Sequence, residues 1–495
     1  MKNCFPKIGI MKRKNLIRFF CFLFILSIYS VASTKSLRML GSNKLSYWQW
    51  REDKKNFLKD ILNVDAIYGN FRGNIEGYIY EPSFVKEPLR KEGLRRRFIE
   101  YKNPEWSLRL GNSYQCIGRG LVLNQTTETP GNIDRDIDGI FANYTIKFLA
   151  ISLLSGKPKN ILFANGEYTI ANDTTDIIQG GNLDFNLFSL LPFTLNFIRL
   201  SSENPGVEKP RQAYLYGFNI DFLKEPFIIY TEFAKREGWD RLQFSNSKGM
   251  GIYASLTFFA DNFAVCFDFL SYDSIGYGGP LYRYNAPPTG NLDSYSINRA
   301  TDERGWMLDF TTNPFGNWYL KVNRSALFAI SSDSLGFNEW YTELKGDIWE
   351  NRTSILLSVK NLEYRKPEPS IDKKTEWIPQ IVAMNTIGTH SVNLGFEPRI
   401  VKIDTVNFTD NAISIDIGLF PNLSISGRWE IRTKEVLLES EGTEWKVIDL
   451  RWDISDAHTI AIMAGSEKGG LVCSGGVCRV EEPFDGARIN VLSRF

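Results

Sequence analysis

Residues 486–495 read GARINVLSRF. Ala487, Ile489, Val491 and Phe495 fall on one face of an extended chain, and Gly486, Arg488, Asn490 and Arg494 fall on the other. Leu492 and Ser493 break the alternation. Side chains of a strand point alternately to opposite faces, so a period of two predicts a strand with one apolar and one polar side. A soluble sandwich uses the same period. An aromatic residue at the very end of such a strand instead fits the closing strand of a membrane barrel, with its apolar face toward lipid.

Working outward, the same alternation recurs from about residue 65. The clearest strands are 212–222 (Tyr214, Tyr216, Phe218, Ile220 and Phe222 on one face), 263–269 (Phe263, Val265, Phe267, Phe269), 411–419 (Ile413, Ile415, Ile417, Leu419) and 423–432 (Leu423, Ile425, Trp429, Ile431). Their opposite faces carry Asn219, Asp221, Asp268, Ser414, Asp416, Arg428, Glu430 and Arg432. One face suits lipid and the other water, the pattern of a transmembrane barrel. Aromatic residues make up 14% of the chain while hydrophobic ones reach only 43%. A bundle of membrane helices is thereby excluded, since each helix needs about 20 consecutive apolar residues.

The connections alternate as well. Pro104, Pro192, Pro226, Pro314 and Pro421 mark short turns, several with an aromatic neighbour, because proline fits a turn or a strand start and not a central ladder. Long connections over 115–136, 157–180, 274–304, 361–376 and 467–485 lie at the other end. Counting back from a periplasmic carboxy terminus places every proline turn inside and every long loop outside. The expectation is an all-β, antiparallel up-and-down transmembrane barrel of about 22 strands, in the range 18–22, with short periplasmic turns and long extracellular loops.

Three segments follow. Lys12, Arg13, Lys14 and Arg18 precede an apolar run over 19–32 with small residues after it, so 1–33 reads as a secretory signal peptide. Residues 34–64 read as a periplasmic amino-terminal segment whose spacing allows a short helix, and 65–495 as the barrel. A net charge of +1 argues against a nucleic-acid partner.

Three stretches, LGNSYQCIGRGLVL at 110–123, YNAPPT at 284–289 with DERGWMLD at 302–309, and GGLVCSGGVCR at 469–479, together with the terminal GARINVLSRF, resemble an uncharacterised, porin-like family of Gram-negative outer-membrane β-barrels. The resemblance covers most of the mature chain and implies location in the cell outer membrane. It brings no transport substrate or catalytic mechanism. Phe495 then serves as an assembly signal for the barrel assembly machinery, as in the barrels it resembles.

Gly111, Gly118 and Gly120 with Arg119 lack the order and context of a nucleotide loop, so they read as bends or close backbone approaches, with a loop folded into the lumen as the alternative. Cys473 and Cys478 enclose a short glycine-containing loop. A disulfide fits that spacing and an oxidising surface, whereas a metal would need further ligands and finds only Glu481 and Glu482 nearby. His390 and His458 each leave a periplasmic turn, away from any nucleophile motif, so no catalytic residue, metal or cofactor is assigned and the chain reads as a non-enzyme.

The candidate lumen lining is Asp416, Arg428, Glu430, Arg432, Asp449, Arg451, Arg488 and Arg494. Mixed charges keep a wall wet, and arginines suit a constriction for polar or anionic solutes. The expected function is porin-like passage of small polar solutes through a charged lumen. The alternatives are a surface binding or assembly component acting through its long loops, and a barrel enzyme. A barrel of this size ordinarily has a plugged lumen, yet no plug domain precedes the strands. Either a loop such as 274–304 folds inward or a partner fills the space.

Overall fold

A computed structural model describes residues 37–495 apart from 52–55, 83–90, 129–132, 165–166, 173–175, 187–190, 203–210, 241–244, 279–282, 298–300, 333, 350–351, 434–443, 475–476 and 482–483. Each barrel strand pairs antiparallel with the next, and the first, Arg38–Trp50, pairs with the last, Phe484–Arg494, so the sheet closes. The sheet has 26 strands; Thr127–Glu128 and Glu167–Asn172 only extend it at the loop side, which leaves a ring of 24. Closure satisfies every edge, the condition for a sheet to stand in lipid.

The ring exceeds the expected 22 strands because residues 34–64 are not a separate segment. Arg38–Trp50 and Asn56–Tyr68 are barrel strands, so the barrel starts near residue 38 rather than 65, and no helix forms among the described residues of that segment. The helical spacing of YWQWREDKKNFLKDILNV was overridden by pairing: Trp48 sits opposite both Phe57 and Arg488 across the closing seam. Residues 1–33, the proposed signal peptide, lie outside the described residues.

The outward face forms a continuous apolar row. Leu357, Ile381, Phe396, Ile413 and Trp429 are direct cross-strand partners and are 42–51% exposed, the state of side chains that lipid would cover. Cross-strand pairs of this kind are the unit of sheet stabilisation. Inward residues are polar or buried, as with Leu215 and Asn219, which flank the outward Tyr216 and Phe218 on the strand Arg211–Lys224.

The turns holding Pro104, Pro192, Pro226, Pro314 and Pro421 lie at the same rim as Phe495, and the longer connections at the opposite rim, as the alternation required. One expected long loop is absent. Thr353–Glu368 and Ile371–Ile387 pair nearly to their ends, so 361–376 is a tight hairpin. Leu149–Ala164 runs on past the wall to pair with Glu167–Asn172.

Phe495 completes the closure. Its backbone exchanges hydrogen bonds with Gly41 (2.6 and 2.9 Å), and its ring lies where a side chain of Gly41 would be, since a Cβ there would come within 2.1 Å of it. A side chain at 41 would displace the Phe495 ring from this seat.

Candidate functional site

A ring of this size encloses a lumen too wide for wall side chains alone to fill. One half is filled by two loops from the loop-side rim. The first carries a small hairpin, Gln115–Ile117 with Leu123–Gln125. It places Leu121, Val122 and Leu123, all fully buried, against inward wall residues such as Ile198, Leu215 and Leu270. Burying each such side chain contributes roughly 1.5–3 kcal/mol. The second loop adds Ile275, Tyr277 and Tyr284 to the same core.

The loops are bonded to each other and to the wall. Asn124 N donates to Tyr284 O (2.8 Å), Ala286 N to Gly120 O (3.1 Å) and Asn285 Nδ2 to Leu121 O (2.9 Å). Tyr284 donates its hydroxyl to Asp176 (2.6 Å). The Tyr277 hydroxyl donates to Val122 O (2.8 Å), and burial pushes its pKa above the ordinary phenol range, so it stays a donor.

Arg119 lies over the rings of Tyr230 (4.3 Å) and Tyr253 (5.3 Å) and donates to the Tyr253 hydroxyl (3.0 Å). Glu232, wholly buried, accepts from the Arg119 backbone N (2.7 Å) and from Tyr230 (2.8 Å). Gly118 (φ +60°) and Gly120 (φ +99°) make this approach: a Cβ on Gly118 would meet Glu232 at 2.4 Å, and one on Gly120 would meet Ala286 O at 2.6 Å. The loop thus enters the lumen, and Gly111 alone keeps the in-strand reading, with a Cβ only 2.2 Å from Arg97 O. The LGNSYQCIGRGLVL and YNAPPT stretches, far apart in sequence, meet in this plug.

The other half, from Ile371–Ile387 round through the seam to Lys91–Lys102, is lined by charges of alternating sign. Glu376 binds Arg399 (2.6 Å) and Lys374 (2.7 Å). Asp410 binds Arg432 through both oxygens (2.8 and 3.2 Å) and also Lys468. Arg428 bridges Glu397 (3.4 Å) and Glu430 (3.3 Å) through one nitrogen, Nη2. Arg488 lies over Trp48 (4.9 Å) near Glu467 (4.0 Å).

A register shift at Glu76 leaves Arg95 as an extra residue in its strand, so Arg95 and Arg96 both turn inward. They share Asp134, while Glu76 pairs with Arg95 (3.0 Å) and Asp136 with Arg96 (2.9 Å).

Of the eight lumen candidates, Arg428, Glu430, Arg432 and Arg488 stand in this charged arc. Asp416 and Asp449 are half-buried on the same wall, nearer the terminus-side rim. Arg451 and Arg494 are exposed at that rim, where Arg451 pairs with Asp453 (3.1 Å) and Arg494 donates to Asp456 O (3.3 Å). They lie outside the charged arc. Sequence reasoning missed Glu376, Glu397, Arg399 and Asp410, although their inward parity on flanking strands was available, and Lys468, which follows the end of its strand and has no parity to read. Arg95 and Arg96 were hidden by the bulge.

Cys473 and Cys478 are direct partners in the Gly470–Ser474 and Val477–Glu481 hairpin. Their side chains lie outside what the structure describes. Cys116 and Cys266 are free. His390 sits at the terminus-side rim against Phe420 (6.0 Å).

A closed antiparallel ring, apolar outside and charged within, defines an outer-membrane-type β-barrel protein. The model of the Family of unknown function (DUF6029) matches residues 14–282, more than half of the chain, and the protein belongs to that family. No curated protein matches its sequence. Among solved structures it overlaps the OccK5 (OpdH) structure of Pseudomonas aeruginosa (11% identity, 80% of this chain and 98% of that one, TM-score 0.39). It also overlaps the P pilus usher PapC translocation pore (8%, 92% and 98%, 0.47) and the siderophore receptor PirA of Pseudomonas aeruginosa (7%, 94% and 81%, 0.48).

Proposed function

We propose that the protein is an outer-membrane channel that passes small polar solutes through the charged half of its lumen, without cofactor or energy coupling. The observation that carries this reading is the asymmetry of the lumen. Apolar packing fixes two loops against one wall, while the arc of Arg399, Arg428, Glu397 and Lys468 opposite keeps side chains 24–40% exposed to water. A wall of paired charges stays hydrated, and hydration is what a polar solute needs for passage.

The surface-binding alternative, which relied on long extracellular loops, loses the two long loops that pack inside the barrel. An enzymatic reading finds no support at His390 or His458, which leave turns at the rim. Residues 1–33 act as the export signal in this reading, and Phe495, stapled over Gly41, is the feature through which the assembly machinery closes the seam.

Planar-bilayer recording on the purified mature protein tests the proposal. Stable unit conductance is expected; a protein that inserts, shows heat-modifiable migration and conducts nothing overturns it. Deletion of Phe495 tests the assembly role: outer-membrane levels should fall with precursor held in the periplasm, and unchanged levels would refute it.

A further inference from the structure

Within the charged arc, one cluster is less self-satisfied than its neighbours. Arg432 and Arg399 each grip a carboxylate with two nitrogens, at 2.6–3.2 Å. Arg428 touches Glu397 and Glu430 only through Nη2, at 3.3–3.4 Å, and its Nε and Nη1 have no partner among the described residues. Nη1 of Arg399 is likewise unused. Arg399, Arg428, Glu397, Glu430 and Lys468 line one cavity on the lumen wall, together with Trp445.

Guanidinium nitrogens bind a carboxylate best in pairs, and here unused donors of two arginines face the same space. Glu397 and Glu430 flank them: Glu397 accepts from Gln380 Nε2 (3.2 Å), and the contacts of both acids with Arg428 and Lys468 are long, 3.3–3.6 Å, so lone pairs on each carboxylate remain for an ammonium group. A wall with both signs this close presents little net potential to a simple anion or cation. A solute with a carboxylate and an ammonium a few bonds apart matches both. Resting on the channel reading above, the geometry points to this cavity as a binding step for small zwitterionic solutes of the amino-acid class, with Arg428 as the specificity-determining residue.

The test uses full mature protein in liposomes, comparing swelling in glutamine with swelling in ribose, a neutral solute of nearly the same mass. Faster entry of glutamine is expected, with glutamine also reducing the bilayer current in a saturable way and ribose not. Arg428→Gln should abolish the preference, so that glutamine and ribose enter at the same rate, and raise the half-blocking glutamine concentration roughly tenfold, the weight of one charge-assisted hydrogen bond. Heat-modifiable migration establishes that the variant is folded, and Glu397→Gln, which removes an ammonium acceptor, should weaken the preference in the same direction.

If ribose enters and glutamine is no faster, or if folded Arg428→Gln keeps the preference, the zwitterion site is wrong while the channel stands. If neither solute enters, the channel reading falls and the site with it.

Discussion

The two halves of the lumen are made from inward faces of the same kind of strand, yet one is dry and the other wet. On the plugged side, Leu121, Val122 and Leu123 lose all contact with solvent, and Glu232 survives there only by accepting from Arg119 and Tyr230. On the charged side, acids and cations alternate across strands, as in the Arg399, Asp410 and Arg432 row, and several keep a quarter or more of their surface in water. Apolar burial is strong and non-directional, so it immobilises loops. Charge pairs that are long and partly in water, such as Arg428 with Glu397, contribute less to stability than buried ones, so they are free to be exchanged for contacts with a solute.

This contrast is open to test from both sides. The largest effect is expected from replacing Leu121, Val122 and Leu123 together with serine. Truncating even one buried leucine costs about 2–5 kcal/mol, so the triple variant should release the first loop and raise unit conductance. An unchanged conductance in a folded variant would show that the loop does not limit the path. Next, Glu232→Ala should cost about 1–3 kcal/mol by leaving the Arg119 N–H and the Tyr230 hydroxyl without their acceptor. The expected readout is a lower unfolding midpoint in denaturant and noisier current.

On the wet side, Arg428→Gln should change the unfolding free energy by no more than about 0.5 kcal/mol, because its contacts are long and partly in water, while changing the reversal potential in a salt gradient. A destabilisation as large as that of Glu232→Ala would erase the distinction between the halves. The smallest effect concerns the hairpin outside both. If Cys473 and Cys478 are joined, alkylation of intact cells followed by mass spectrometry should find the pair protected until reduced, and reduction should cost at most about 2–3 kcal/mol, because so short a loop has little entropy to remove. Two freely alkylated thiols would reject the bond.

Much of the wall was legible because a strand's period is short and local. Tyr216, Phe218, Phe267, Ile413 and Trp429 point to lipid as their parity required, and the proline turns fall at one rim. The first two strands were not legible, since the YWQWREDKKNFLKDILNV run satisfies a helical spacing as well, and only pairing with each other and with Phe484–Arg494 decides between them. Arg95 and Arg96 escaped for a related reason. A bulge shifts parity by one residue, and nothing in KEGLRRRFIEYK marks where it falls.

The sequence by itself determined the class of wall and its polarity: alternating side chains, an aromatic outer face, mixed charges within, and the rim at which the turns lie. These are properties of single strands and their immediate neighbours. Only the tertiary structure decided what fills the lumen. Gly118 and Gly120, read alone, are equally good bends in a surface loop or in a buried one. Their place beside Glu232 and Ala286, from strands and loops more than a hundred residues away, follows from closure of the ring, which brings distant inward faces within reach of a single loop.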